Sequence, residues 1–183
     1  MPDASMYFIA ALCPPEINDK INAFKIWMKE KFGCVVVLKS PAHITLVPPF
    51  WISLEASQQL FHCFNSFKCP LTAFEVRLKG FDHFSKKVLF VDVCENENLH
   101  VLKAEVEKYF AGCFPGHVRA DTRPFHPHVT IANRDIKPSH FRAAWAHFSK
   151  NEFEVSFQTC TISLLRLDSG QWHVLSITKW SAG

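Results

Sequence analysis

Apolar and polar residues alternate along this chain with two periods, one close to two residues and one close to four. Tyr7 to Leu12 is a short, almost wholly apolar run, the signature of a buried strand. Pro14-Pro15-Glu16 then opens a helix predicted to reach Phe32, with Ile17, Ile21, Phe24 and Met28 as its apolar stripe and Gly33 as its stop. Val35 to Leu38 and His43 to Val47 read as strands, the second halted by Pro48-Pro49. Leu54 to Phe67 reads as a helix with Leu60, Phe61, Phe64 and Phe67 facing inward. Phe74 to Leu78 alternates cleanly as a half-exposed strand, Val88 to Val93 is another strand, and Leu99 to Phe110 is another helix. After Gly116 a loop carries Arg119, Asp121, Arg123 and Pro124 into a strand beginning at His128. A helix from about Ser139 to Phe148, a strand at Phe153 to Phe157 and a hairpin complete the series. The hairpin joins Thr161 to Leu167 with Trp172 to Trp180 across Asp168-Ser169-Gly170.

Two of these strands say nearly the same thing. His43-Ile44-Thr45-Leu46 and His128-Val129-Thr130-Ile131 are each His, β-branched apolar, Thr, aliphatic. Side chains alternate across a strand, so each segment sets a His beside a Thr on one face and two aliphatics on the other. With ten His and seven Thr in 183 residues, chance supplies only about 0.4 His-x-Thr triplets, so a matched pair is a motif rather than an accident. Either one alone reads equally well as a plain strand with a β-favouring Thr. Each motif is followed by a helix and by a strand that opens Phe-Glu-Val, at Phe74 and at Phe153. This recurrence predicts an internal duplication. The expected architecture is α+β and bilobal: two pseudo-symmetric lobes, each with an antiparallel sheet and helices, facing each other across an active-site cleft. No Gly, Ser or Pro linker separates the halves, so residues 1–183 are expected to form a single two-lobed domain.

Bulk composition narrows the field. Twenty basic residues against 17 acidic ones leave a net charge of +3, too mild for a protein that coats DNA and mildly favourable to an anionic ligand. No apolar run approaches the 18 or so residues of a membrane helix, and the start Met1-Pro2-Asp3 lacks the basic character of a signal peptide. Seven cysteines, at 13, 34, 63, 69, 94, 113 and 160, are odd in number and scattered, with no Cys-x-x-Cys. That argues against a disulfide framework or a zinc knuckle and for a cytoplasmic setting. There is also no Gly-rich phosphate loop.

The paired motifs, 85 residues apart, resemble those of the two-histidine phosphoesterase superfamily, and within it the 2′-5′ RNA ligase/cyclic nucleotide phosphodiesterase family. Tyr7-Phe8-Ile9-Ala10-Ala11-Leu12-Cys13-Pro14-Pro15 is similar to that family's opening strand and Pro-led helix. Ser40-Pro41-Ala42-His43 resembles the lead-in to its first motif and Phe125-His126-Pro127-His128 the lead-in to its second. The Trp172 hairpin resembles its closing strands. Two departures stand out: Asn133 precedes Arg134 where many members place a basic residue, and the first motif runs directly into Val47-Pro48-Pro49-Phe50. The resemblance implies one motif per lobe and metal-independent cleavage of cyclic phosphodiesters or 2′-5′ linkages. It implies a 2′,3′-cyclic nucleotide or an RNA end as the partner, with no cofactor. It also puts Phe84 where such proteins carry an aromatic at the cleft.

The chemistry suits the residues. Hydrolysis of a cyclic phosphate needs one group to take a proton from water and another to give one to the departing oxygen. Histidine, titrating near 6.5, serves in both states. His43 and His128 are the candidate acid/base pair, and Thr45 and Thr130 the candidate holders of the phosphate oxygens. Phe50, Phe84 and Phe125 are candidate base-stacking residues; Arg134, Arg123 and Lys39 are candidate phosphate contacts. His126 shares a face with His128 only if the strand continues through Pro127, so it is expected to be peripheral. Two other readings remain: a binding module that holds a cyclic nucleotide or RNA end without turnover, and a metallohydrolase built on His43, His126 and His128. A monomer is expected.

Overall fold

The computed structural model describes residues 4–119 and 122–180, so Asp121 and the Met1-Pro2-Asp3 start lie outside it. Strands and helices alternate as β1 (Ala4–Leu12), α1 (Pro15–Phe32), β2 (His43–Ser53), α2 (Ser57–Ser66), β3 (Phe74–Phe84), β4 (Val88–Val93), α3 (Glu97–Cys113), β5 (His128–Ala132), α4 (Pro138–Phe148), β6 (Glu154–Thr159), β7 (Thr161–Asp168) and β8 (Gln171–Lys179). Two antiparallel sheets result, ordered β2-β1-β7-β8 and β5-β4-β3-β6. The fold is therefore α+β and bilobal, as the alternation predicts. Each His-x-Thr segment opens a strand at the edge of its own sheet, and these two edge strands touch each other. The helix preceding each motif packs across onto the other lobe's motif strand, α1 against β5 and α3 against β2. One core cluster spans both lobes and includes Ile21, Ile44, Leu46, Val91, Val106, Val129 and Ile131.

Local chemistry explains the ends of the elements. Pro15 occupies the first turn of α1, where its missing N–H costs nothing. Gly33, at φ 72°, ends the helix by donating its N–H to the Lys29 carbonyl. Asn96 caps α3 by accepting from the Leu99 N–H. In the β7–β8 hairpin Ser169 and Gly170 both adopt positive φ, as a two-residue type I′ turn demands.

Four expectations change. Val35 to Leu38 is not a strand: Val36–Lys39 is a 3-10 turn. Its N-terminal end is held by Asp135, whose Oδ2 accepts from the Val35 and Val36 N–H groups at 2.6 and 2.8 Å. This tie runs from the loop after the second motif to the approach of the first. Asp135→Ala is expected to cost about 1.5–3 kcal/mol, because two donors lose a charged acceptor; urea denaturation measures it, and an unchanged midpoint would refute the tie.

The strand beginning at His43 does not stop at Pro48-Pro49 but runs to Ser53. It lies at a sheet edge, both prolines are exposed, and two register irregularities against β1 absorb the residues that cannot join the ladder. Helix α2 is shorter than predicted; Leu54 sits in the preceding turn, while Phe67 lies just past the helix and is buried nonetheless. Last, the Phe-Glu-Val strands are not equivalent positions of two repeats. Both lie in one sheet as direct partners, Val76 opposite Phe157 and Leu78 opposite Val155. The repeated unit visible in the topology is strand, helix, motif strand: β1-α1-β2 and β4-α3-β5.

Candidate active site

Alternation within the two motif strands places the site. Ile44, Leu46, Val129 and Ile131 are buried in the core. His43, Thr45, His128 and Thr130, only partly covered, point to the opposite faces. Burying each aliphatic contributes about 1.5–3 kcal/mol, and a one-residue slip would turn the histidines inward. The register of both edge strands is thus held by the core.

Both imidazoles are oriented by the same device. His43 Nδ1 lies 2.7 Å from the Pro41 carbonyl, and His128 Nδ1 lies 2.7 Å from the His126 carbonyl. A carbonyl can only accept, so each Nδ1 carries a hydrogen and donates it. Nε2 is then the nitrogen left to exchange protons on either ring. Aromatic rings steady the two imidazoles. Phe8 packs on His43 at 4.8 Å and is itself met edge-on by Trp172. Phe84 meets His128 edge-on at 4.9 Å, and Phe90 tilts against it at 5.0 Å.

The two lobes differ electrically. His43 is lowered to about 4, chiefly by burial, with the Lys25 ammonium and the charge of His128 adding to the fall and the bond to Pro41 opposing it. His128 is also lowered, again chiefly by burial and partly by His126. Its bond to the His126 carbonyl and the Asp92 carboxylate pull the other way. Asp92 stands directly opposite His128 in the β4–β5 register, where the other lobe has Leu12 opposite His43.

The remaining candidates separate. Phe84, 38% exposed, stands beside the second motif histidine. It gets there through an irregularity near Gly80 (φ 71°), which shifts the β3 register between Leu78 and Phe81. Up to Leu78 the even-numbered residues face the core; beyond the bulge Phe84 turns to the exposed side, against the His128 ring. Phe50 lies elsewhere. It is 4% exposed and packs against Tyr7, because β2 continues past the prolines and carries Phe50 to the side of Ile44. Phe125 is also elsewhere, resting on His100 and beneath the Lys103 ammonium of α3. Arg134 is exposed in the loop after β5, its backbone N–H donating to Asn133 Oδ1. Arg123 is exposed too, and Lys39 lies on the rim of a groove it shares with Ser40, Pro41 and Trp172. Pro127 does end the strand pairing, and His126 turns its Nε2 to Asp92 at 3.2 Å. Its ring nevertheless stays 6.5 Å from that of His128. Among the described residues no three His, Cys, Asp or Glu side chains converge as a metal ion would need, so His43, His126 and His128 do not form a ligand set.

The model of the 2′-5′ RNA ligase superfamily matches residues 13–171. The chain belongs to the 2′-5′ RNA ligase superfamily. No curated protein sequence matches it, but solved structures share its fold. Escherichia coli LigT complexed with 3′-AMP superposes with a TM-score of 0.70 at 18% identity, covering 97% of this chain and 99% of that one. A Thermus thermophilus protein gives 0.64 at 16% identity over 95% and 97%. A structure described as a phosphoesterase gives 0.64 at 17% over 98% and 99%. In this superfamily member, no helix among the described residues is long and apolar enough to cross a membrane.

Several residues around the site escape a reading of motifs. Phe8 lies on β1 and Trp172 on β8, outside the motif strands, and Asp92 is one acidic residue in the apolar strand β4. Lys25 did leave a trace: it stands four residues after Ile21 in the inward series Ile17, Ile21, Lys25, Met28, where a lysine is out of place.

Proposed function

We propose that this protein is a phosphodiesterase that opens 2′,3′-cyclic phosphates on nucleotides or RNA ends, with His43 and His128 exchanging protons and Thr45 and Thr130 holding the phosphate. The observation that carries this is the matched pair of imidazoles, each tied at Nδ1 to a carbonyl and each left with Nε2 for chemistry. In-line attack at phosphorus needs a proton acceptor for the water and a proton donor for the leaving oxygen on opposite sides. This reading is supported by two edge strands in contact, one from each lobe, each carrying one of the imidazoles. The threonine hydroxyls share the faces of the histidines and donate to non-bridging oxygens as negative charge builds on them. The reverse course, attack by a 2′-hydroxyl on a cyclic phosphate, uses the same groups and yields a 2′-5′ linkage. The 3′-AMP held by LigT fits a ligand of this class. The protein acts in this reading as a monomeric, two-lobed domain without a metal or other cofactor, in the processing of RNA in the cytoplasm.

The test is a screen of 2′,3′-cyclic mononucleotides, 2′-5′ dinucleotides and cyclic-phosphate-ended RNA, with the product phosphate placed by phosphorus NMR. Turnover of at least one cyclic phosphate, unchanged after exhaustive chelation, supports the reading. Tight binding without turnover would make the cleft a binding module, and activity lost on chelation and restored by one metal would favour a metallohydrolase. Thr45→Ala and Thr130→Ala should each lower kcat/KM by a factor equivalent to one hydrogen bond to a charged group, about 1.5–3 kcal/mol. Steady-state kinetics decide it; a threonine whose loss changes nothing does not hold the phosphate.

A further inference from the structure

Behind the first motif lies a charge that the fold itself does not require. Lys25 is 1% exposed, inside the core-facing stripe of α1. Its ammonium donates to the Ser40 carbonyl at 3.0 Å, and among the described residues no carboxylate pairs with it. Desolvating an ammonium is costly, and an apolar side chain of similar volume would fill the same space without that cost. The bond it makes is informative. Ser40, Pro41 and Ala42 lead directly into His43, and their polar groups are anchored one after another. Lys25 takes the Ser40 carbonyl, His43 the Pro41 carbonyl and Asn18 Oδ1 the Ala42 N–H, while the Ala42 carbonyl accepts from the Cys13 N–H. Lys25 therefore acts on His43 twice, through the backbone that holds its ring and through the field of its buried ammonium.

The lobe carrying His128 lacks this arrangement and has Asp92 and His126 in contact beside its imidazole instead. The charged groups that act on His43 are Lys25 from α1 and His128 from β5, and the thiol of Cys13, just after β1, lies by Lys25. Cys13 is pushed up to about 12 by burial and so contributes no charge at neutral pH. A cation stands behind one histidine and a carboxylate beside the other.

We propose that Lys25 is a positioning residue that fixes His43 as the neutral, proton-accepting member of the pair and leaves the proton-donating part to His128. This deepens the two-histidine reading above and rests on it. In hydrolysis the water oxygen bonds to phosphorus while its proton passes to His43 Nε2. The bond from phosphorus to the ribose oxygen breaks, and that oxygen takes the proton of His128 Nε2. Each imidazole then returns to its starting form by exchange with solvent.

Lys25→Met keeps the length of the side chain and removes the charge; Lys25→Arg keeps the charge. The experiment follows the His43 ring by NMR from about pH 3 to 9 in the intact protein and both variants, alongside the pH dependence of kcat/KM on a 2′,3′-cyclic mononucleotide. In Lys25→Met the His43 titration and the acid limb of the profile should rise together, by about one pH unit or more. Below that limb the rate should fall about tenfold relative to the parent, while the alkaline limb stays in place. Lys25→Arg should restore the parent titration. A lysine that only supports the fold would lower the rate at every pH without moving either limb, and that result overturns the proposal. So does an unmoved His43 titration, or a shift confined to the alkaline limb. Should methionine at position 25 prevent folding, Lys25→Gln provides the neutral side chain for the same measurements. Failure of every cyclic phosphate to turn over in the parent protein would overturn the hydrolytic reading. The NMR titration would still decide whether Lys25 sets the protonation of His43.

Discussion

Replacing His43 or His128 by alanine should lower the turnover of a 2′,3′-cyclic phosphate by about 10²–10⁴-fold, the range that general acid–base groups contribute. The expectation follows from how the rings are held. Each Nδ1 hydrogen is committed to a backbone carbonyl two residues upstream, so Nε2 alone can move protons and no neighbouring side chain duplicates it. His126 is near His128, but its Nε2 is turned to Asp92. Neither substitution should unfold the protein, since both rings lie on the faces turned away from the core. What is lost is one hydrogen bond, worth about 1 kcal/mol, together with the ring contact to Phe8 for His43 or to Phe84 and Phe90 for His128. Steady-state kinetics with thermal melts separate the two effects. Full activity in the double alanine variant would end the two-histidine mechanism.

The second large effect is in pH. Because one imidazole must be neutral and the other protonated, kcat/KM should be bell-shaped, with limbs reporting the free protein. A simple reading of two histidines puts both limbs near 6.5; the structure moves them down. His43 is drawn to about 4 by burial, with Lys25 adding to it, so the acid limb should lie near 4. His128 is lowered too, mainly by burial, which sets the alkaline limb below 6.5. The proton donor is lost above that limb, at about tenfold per pH unit. At about pH 8.5 the rate should be at least about a hundredfold below its maximum. Profiles of the parent protein over a wide pH range check this. A plateau extending through pH 8 would exclude His128 as the required donor, and pH-independent binding of the substrate analogue would show that the fall is in chemistry.

How far the amino-acid order reaches can be judged residue by residue. Local rules determined the elements that depend only on near neighbours. The Pro-led, Gly-ended helix α1 and the β7–β8 turn at Ser169-Gly170 are of this kind. So is the two-residue alternation that puts His43 and Thr45 on one face and Ile44 and Leu46 on the other. The same alternation carried on through Pro48 and Pro49 would have placed Phe50 in the core; stopping at the prolines concealed it. Proline bars a strand from the middle of a sheet, not from its edge, and whether a strand is an edge is a property of the assembled sheet.

The chain by itself thus determined which side chains could act together: two histidines and two threonines, in two strands, each on the face opposite a buried one. Only the tertiary structure decided what surrounds them. Val36–Lys39 coils because Asp135, about a hundred positions away, supplies its acceptor. Phe125 rests on α3 rather than on either motif histidine, and two similar Phe-Glu-Val strands pair with each other rather than marking two repeats. The asymmetry between His43 and His128 is of the same kind. Their motifs are almost identical in sequence, yet α1 brings a buried ammonium to one and β4 a carboxylate to the other. Strand and helix periodicity act over a few residues, whereas desolvation and charge act through space, between groups that only folding brings together.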